Sequence, residues 1–272
     1  MDHLAVERQF LLDLRAETRA IALGSYRRAQ VERKADGTDV TAADRAAEQC
    51  IRERLARRFP ADGVLGEEFG ASGDPRDGRC WILDPIDGTT WFALGTPLFA
   101  TLVALCVDGE PVLGLADFPA LGESYLGVRG GGAWWLVDGA EPERVRVAAP
   151  KPLGEAFGSA SGIHDTPWTP RGQAAAYDLG ALSRACRRFR FCGDALQHML
   201  VARGGIDLAV DARMAPWDSA ALVPIVEEAG GVVADARGGR EGVVFAGSLL
   251  AASHRGLIEA AVERLRLAAG PG

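Results

Sequence analysis

The sequence predicts a protein of mixed α+β / α/β class in two lobes. Three observations lead there. Between residues 99 and 137, short apolar runs follow one another across tight turns, which marks an antiparallel sheet. After residue 155, apolar runs alternate with helical patterns, the signature of α/β packing. Between these regions Pro142, Pro150 and Pro152 fall in a composition shift at residues 142–154. The expected division is an N-terminal lobe over residues 1–150, with the antiparallel sheet, and a C-terminal α/β lobe over residues 151–272.

The elements follow in order. Residues 4–30 read as a helix, since Leu4, Phe10, Leu11, Leu14 and Ile21 follow a loose 3.6-residue period among Arg and Glu. Lys34-Ala35-Asp36-Gly37-Thr38-Asp39 is a turn or short hairpin. Thr41 starts a second helix with Ile51, Leu55 and Phe59 on its buried face, and Pro60 ends it. Thr41 and Asp44 have the form of a capping box, and Asp44 reads equally well as turned toward a metal or its water. Val64-Leu65-Gly66-Glu67-Glu68-Phe69-Gly70 brackets two acids with glycines, as a solvated loop or a ligand loop. Residues 71–79 are polar and Gly-rich, a surface loop.

The most informative stretch is Cys80-Trp81-Ile82-Leu83-Asp84-Pro85-Ile86-Asp87-Gly88-Thr89-Thr90. Residues 80–83 read as a buried strand. Pro85 keeps Asp84 out of helix, Asp87-Gly88 is a turn signal, and Thr89 can open a helix. Two carboxylates thus stand at a strand end beside free backbone N–H groups at residues 88–90, a setting for a hard divalent cation and a phosphate. An isolated Asp-x-x-Asp also occurs in ordinary solvated turns. Downstream, strands are expected at 99–107, 112–117, 123–128 and 133–137. Beyond the boundary come strand 156–160, a helix around 172–185, strand 188–192, helix 194–204, strand 206–211, helix 218–229, strands 231–235 and 243–246, and helix 254–267. Asp218 stands at the head of its apolar helix, where it reads as an N-cap or as a further metal ligand.

Composition narrows the function. The 272 residues are 48% hydrophobic and 25% charged, with a net charge of −7 and a pI near 5.2. That balance argues against a nucleic-acid or membrane-surface role. The 5 cysteines lack zinc-type spacing and read as free thiols of a reducing compartment. The N-terminus runs into Arg and Glu rather than a signal-peptide pattern, and no apolar run reaches the ~20 residues that cross a bilayer. A cytoplasmic location is expected. His3, His164, His198 and His254 show no ligand-like spacing.

Four blocks in this order carry a family resemblance: Val40-Thr41-Ala42-Ala43-Asp44; Gly66-Glu67-Glu68; Asp84-Pro85-Ile86-Asp87-Gly88-Thr89; and Trp217-Asp218 followed by Val226-Glu227-Glu228-Ala229-Gly230-Gly231. The chain resembles the inositol monophosphatase family of magnesium-dependent phosphatases. That resemblance implies a layered αβαβα sandwich, usually dimeric, acting on a small phosphorylated alcohol with two or three Mg²⁺ per subunit. It matches Glu67, Asp84 and the Ile86 carbonyl to a first metal, Asp84, Asp87 and Asp218 to a second, and Glu67 to a third, weaker one. It matches Thr89, with Glu67, to activation of the attacking water, Asp44 to support of that arrangement, and the N–H groups of Gly88 and Thr89 to a phosphate cradle. Asp87 and Asp218 also border the substrate. Such a metal cluster fits a two-metal in-line displacement with no phosphoenzyme. The three-residue spacing of Asp84 and Asp87 disfavours the haloacid dehalogenase type of phosphatase, whose acids lie two apart.

Within the family, Met214 to Ile225, Leu115 to Gly132 and Phe191-Cys192-Gly193-Asp194-Ala195 resemble the branch that hydrolyses histidinol phosphate. Asp194 would suit a cationic amino alcohol, or else cap helix 194–204; Asp211 is a further candidate facing the substrate. An inositol-1-phosphatase or another sugar phosphatase is the alternative. A regulatory binding protein on the same scaffold would predict damaged ligands or a basic patch, and neither is present. One departure stands out: the family's usual Gly-Thr-Lys-Asn-Phe is Gly88-Thr89-Thr90-Trp91-Phe92 here, which touches no metal ligand but bears on the neighbouring substrate contacts and the strength of phosphate binding.

Overall fold

The computed structural model describes residues 4–33, 39–163 and 177–266. Helix α1, Ala5–Ser25, buries Leu11, Leu14, Thr18 and Ala22. It ends at Ser25 rather than residue 30, just before Arg27 turns left-handed at φ 65°. Strands β1 (Val31–Arg33) and β2 (Asp39–Thr41) pair antiparallel; residues 34–38, where the turn is expected, lie outside the described residues. Helix α2, Ala42–Arg58, opens on a capping box in which Asp44 accepts from the Thr41 N–H.

The first sheet then builds from β3 (Gly63–Gly66), β4 (Gly70–Ser72), β5 (Arg79–Asp87), β6 (Ala100–Val107), β7 (Glu110–Phe118), β8 (Glu123–Val128), β9 (Gly132–Val137) and β10 (Glu143–Arg144). Helix α3, Thr89–Ala93, interrupts it after β5. The spatial order is β10-β9-β8-β7-β6-β5-β3-β4, and the pairing is antiparallel except between β3 and β5. Strands β3 and β4 correct the loop expected over residues 64–72. They are short and Gly-rich, so they show little apolar alternation.

The chain continues through β11 (Phe157–Ala160), α4 (Leu179–Ala185), β12 (Arg188–Phe191), α5 (Asp194–Ala202), β13 (Leu208–Asp211), α6 (Pro216–Ser219), α7 (Leu222–Glu228), β14 (Val232–Ala234), β15 (Leu249–Ala252) and α8 (Arg255–Leu265). The second sheet has the order β12-β11-β13-β15-β14. Its β11 runs parallel to β12 and β13, whereas β15 is antiparallel to β13 and β14. Two expectations are corrected. Helix 218–229 is two helices, because Pro224 has no N–H to extend the first one. The strand placed at 243–246 is a 3₁₀ turn, Val243–Phe245, after left-handed Gly242 (φ 62°); the strand lies at 249–252. The expected helix at 172–185 begins, among the described residues, at Leu179.

Alternation along β5 explains the layers. Trp81 and Leu83 face one way and join Leu11, Leu14, Ile51 and Leu55 of α1 and α2. Cys80 and Ile82 face the other way and join Met199 of α5 and Leu222 and Ile225 of α7. The second sheet meets the same α5–α7 layer through Ala209 and Ala251, and packs α4 and α8 on its outer face through Leu208, Leu250, Leu182 and Ile258. The result is the αβαβα sandwich. Gly114 and Gly127, opposed across β7 and β8, let the α7 backbone lie on the first sheet. A Cβ on Gly127 would sit 2.5 Å from the Ile225 nitrogen, and one on Gly114 would overlap the Ala221 carbonyl.

Candidate active site

In a regular strand, residues three apart face opposite sides. Asp84 and Asp87 escape this rule because β5 bulges between them: Asp84 pairs with Leu102, but Asp87 pairs with Ala100. Pro85, which has no N–H to give to a ladder, sits in the bulge, and its carbonyl accepts from the Thr101 hydroxyl at 2.8 Å. Both carboxylates are thereby aimed at one place. Gly88 follows in the left-handed region (φ 79°) and turns the chain into α3. A Cβ there would also meet Asp194 Oδ2 and the Leu98 carbonyl, each at 2.9 Å.

Helix α6 brings in Asp218. Its Oδ2 accepts from the Ala215 N–H at 2.7 Å, from the third residue of the helix rather than from the N-cap. Carboxylate oxygens of Asp84, Asp87 and Asp218 lie within 4.8 Å of one another. Glu67, in the turn between β3 and β4, stands outside that trio, yet its charge acts on both Asp84 and Asp218. Burial, then the charges of Glu67, Asp87 and Asp218, hold the Asp84 carboxyl well above the usual range. Burial, then Asp194 and Asp218, raise Asp87, with the Ala195 N–H bond opposing. Burial pushes Asp218 up to about 7. Asp84 is 2% exposed and its Oδ1 has no hydrogen-bond partner. An all-oxygen, acid-rich donor set with one unpaired buried oxygen fits a hard divalent cation.

Thr89 Oγ1 lies 3.1 Å from the Ile86 carbonyl and 3.4 Å from Asp44 Oδ1. Its one proton serves one of these acceptors, which leaves oxygen lone pairs free to accept from a water. Asp44 is buried, and its Oδ2 accepts from the Thr41 N–H at 2.9 Å and the Thr41 hydroxyl at 2.5 Å. The capping box thus engages one Asp44 oxygen and the Thr89 contact the other.

Asp194 begins α5 with φ 29°, and Gly193 is the N-cap, so Asp194 does not cap the helix. Its carboxyl is pushed up to about 6, by burial first and then by Asp211, with Trp91 and His198 opposing. Asp211 is 3% exposed at the end of β13. It accepts from Gln197 Nε2 at 2.7 Å, stands 2.6 Å from His198 Nε2, and accepts from the Ser161 hydroxyl. Sequence reasoning gave no role to His198, the buried partner of Asp211. It also missed Glu48, which lies four residues after Asp44 and accepts from the N–H groups of Glu68 and Phe69.

The two sheets, the α5–α7 layer between them and a carboxylate cluster at a strand end form a sandwich whose acid trio is suited to a divalent cation. Residues 7–267 match the inositol monophosphatase family, and the chain belongs to that family as a phosphomonoesterase. A histidinol-phosphatase of Chlorobaculum parvum is 40% identical over 248 residues, 90% of this chain and 92% of that protein. A histidinol-phosphatase of Mycobacterium tuberculosis is 44% identical over 205 residues, 74% of this chain and 76% of that one. Among solved structures, an IMPase of Thermotoga maritima superimposes with a TM-score of 0.80 at 31% identity, covering 94% of this chain and 95% of that one. No helix of the described residues is long and apolar enough to cross a membrane.

Proposed function

We propose that the chain is a magnesium-dependent histidinol-phosphate phosphatase working as a homodimer. Asp84, Asp87, Asp218, Glu67 and the Ile86 carbonyl would hold two or three Mg²⁺, which supply Lewis acidity and offset the phosphate's charge. The Gly88 and Thr89 N–H groups orient the phosphate at the start of α3. Thr89 Oγ1, with Asp44 behind it, accepts from the attacking water and aims it at phosphorus. Asp194 faces the organic part of the substrate. Its carboxylate borders Gly88, where an ammonium would stabilise the charged form. Asp211 adds negative charge on the same side. The carrying observation is the convergence of Asp84, Asp87 and Asp218 within 4.8 Å, with Asp84 Oδ1 unpaired.

The test is phosphate release from histidinol phosphate at saturating magnesium by the wild type and Asp84→Asn. The variant should lose at least ~10³-fold in kcat, ~4 kcal/mol of barrier. Undiminished release by Asp84→Asn would refute the metal assignment.

A further inference from the structure

Glu48 is fully buried on α2, one turn after Asp44, and stands outside the acid trio. Its Oε2 accepts from the Glu68 N–H at 2.7 Å and its Oε1 from the Phe69 N–H at 3.2 Å. Arg52 Nε donates to the same Oε1 at 2.7 Å. The carboxylate lies directly over the Gly66 backbone, where any Cβ would overlap it. Gly66 and Glu48 therefore form one device: the glycine opens the slot and the carboxylate fills it.

The two N–H groups that Glu48 holds belong to the residues directly after Glu67. Glu67 itself is carried by this turn beside Asp84 and Asp218, whose like charge repels it. A turn carrying such a group needs an anchor. Charge-assisted bonds from backbone N–H groups to a buried carboxylate are strong and directional. The geometry points to Glu48 as a positioning residue for the metal site: its buried carboxylate, seated over Gly66 and balanced by Arg52, clamps the 66–69 turn and holds Glu67 toward Asp84. One helical face then orients both sides of the centre, Asp44 through Thr89 and Glu48 through the Glu67 turn. This rests on the reading of Glu67 as a metal ligand.

The experiment is calorimetric titration of Mg²⁺ into the wild type, Glu48→Gln, Arg52→Ala and Glu67→Gln, with melting of each in EDTA. An amide at position 48 keeps the size but must turn a donor toward one of the N–H groups. Glu48→Gln should raise the magnesium Kd ~10–100-fold, the scale of lost outer-shell contacts. Its preference between histidinol phosphate and inositol 1-phosphate should not change. A packing role alone would lower the EDTA melting temperature and leave Kd unaltered, and that result in folded Glu48→Gln overturns the proposal. If Glu48→Gln does not fold, Arg52→Ala decides: a smaller rise in Kd supports the clamp, and an unaltered Kd overturns it. Glu67→Gln separates the two levels. If its own Kd does not change, the ligand reading has failed and the clamp falls with it. If Glu67→Gln weakens binding and Glu48→Gln does not, the clamp alone has failed.

Discussion

At the residue scale, Asp194 carries the proposed substrate preference. It has a positive φ, is set against Gly88, and is flanked by Trp91. On the proposed reading a carboxylate there would recognise a cation and repel a second anion. Asp194→Ala should lower kcat/KM for histidinol phosphate by ~30-fold, the ~2 kcal/mol lost when a buried charge pair is truncated. Its rate with a neutral sugar phosphate should hold, which steady-state kinetics on both esters will measure. Equal losses on both esters would remove Asp194 from recognition. The convergence of Asp84 and Asp87 was legible at this scale because Asp-Pro-Ile-Asp-Gly-Thr is a compact local code: the proline bulge, the turn and the acids are consecutive. Glu48 was not, because an acid in a helix of low amphipathicity looks like a solvated one. Its burial depends on Gly66, 18 residues later.

Among the elements, α6 and α7 decide whether the second half of the chain delivers Asp218. Pro224 breaks the predicted helix, so α6 can point Asp218 at β5 while α7 runs across the paired glycines. A methyl group at Gly114 would force α7 outward. Gly114→Ala should cost ~1–3 kcal/mol of stability, as overpacking does, and weaken magnesium activation through Asp218. Urea unfolding and a magnesium titration of activity would report both. Full stability with unchanged activation would show that α7 tolerates displacement. Most strands and helices were legible from periodicity. β15 was not, because Leu249-Leu250-Ala251-Ala252 carries no β-branched residue and suits helix as well as strand.

At the scale of the whole molecule, the acid cluster couples proton binding to folding, and the proposed metal would join that linkage. Asp218 and Asp194 reach about 7 and about 6 when folded, against an ordinary 3.8. The folded chain therefore keeps protons that the unfolded chain has lost over this window. The cluster's contribution to stability is greatest below about pH 4 and falls as pH rises toward 7. Magnesium, held by the deprotonated acids as proposed, should offset that fall. The rise in melting temperature on adding magnesium to EDTA-treated protein should be larger at pH 8 than at pH 5.5, and Asp218→Asn should shrink the difference. An equal rise at both pH values would contradict this linkage.

The most direct measurement is magnesium-dependent phosphate release from histidinol phosphate and from myo-inositol 1-phosphate under identical conditions. The predicted result is a kcat/KM preference of ~100-fold or more for histidinol phosphate, ~2.7 kcal/mol in the transition state. A comparable preference for the inositol ester would contradict the substrate assignment and leave the metal centre standing; no magnesium-dependent release from either ester would contradict both.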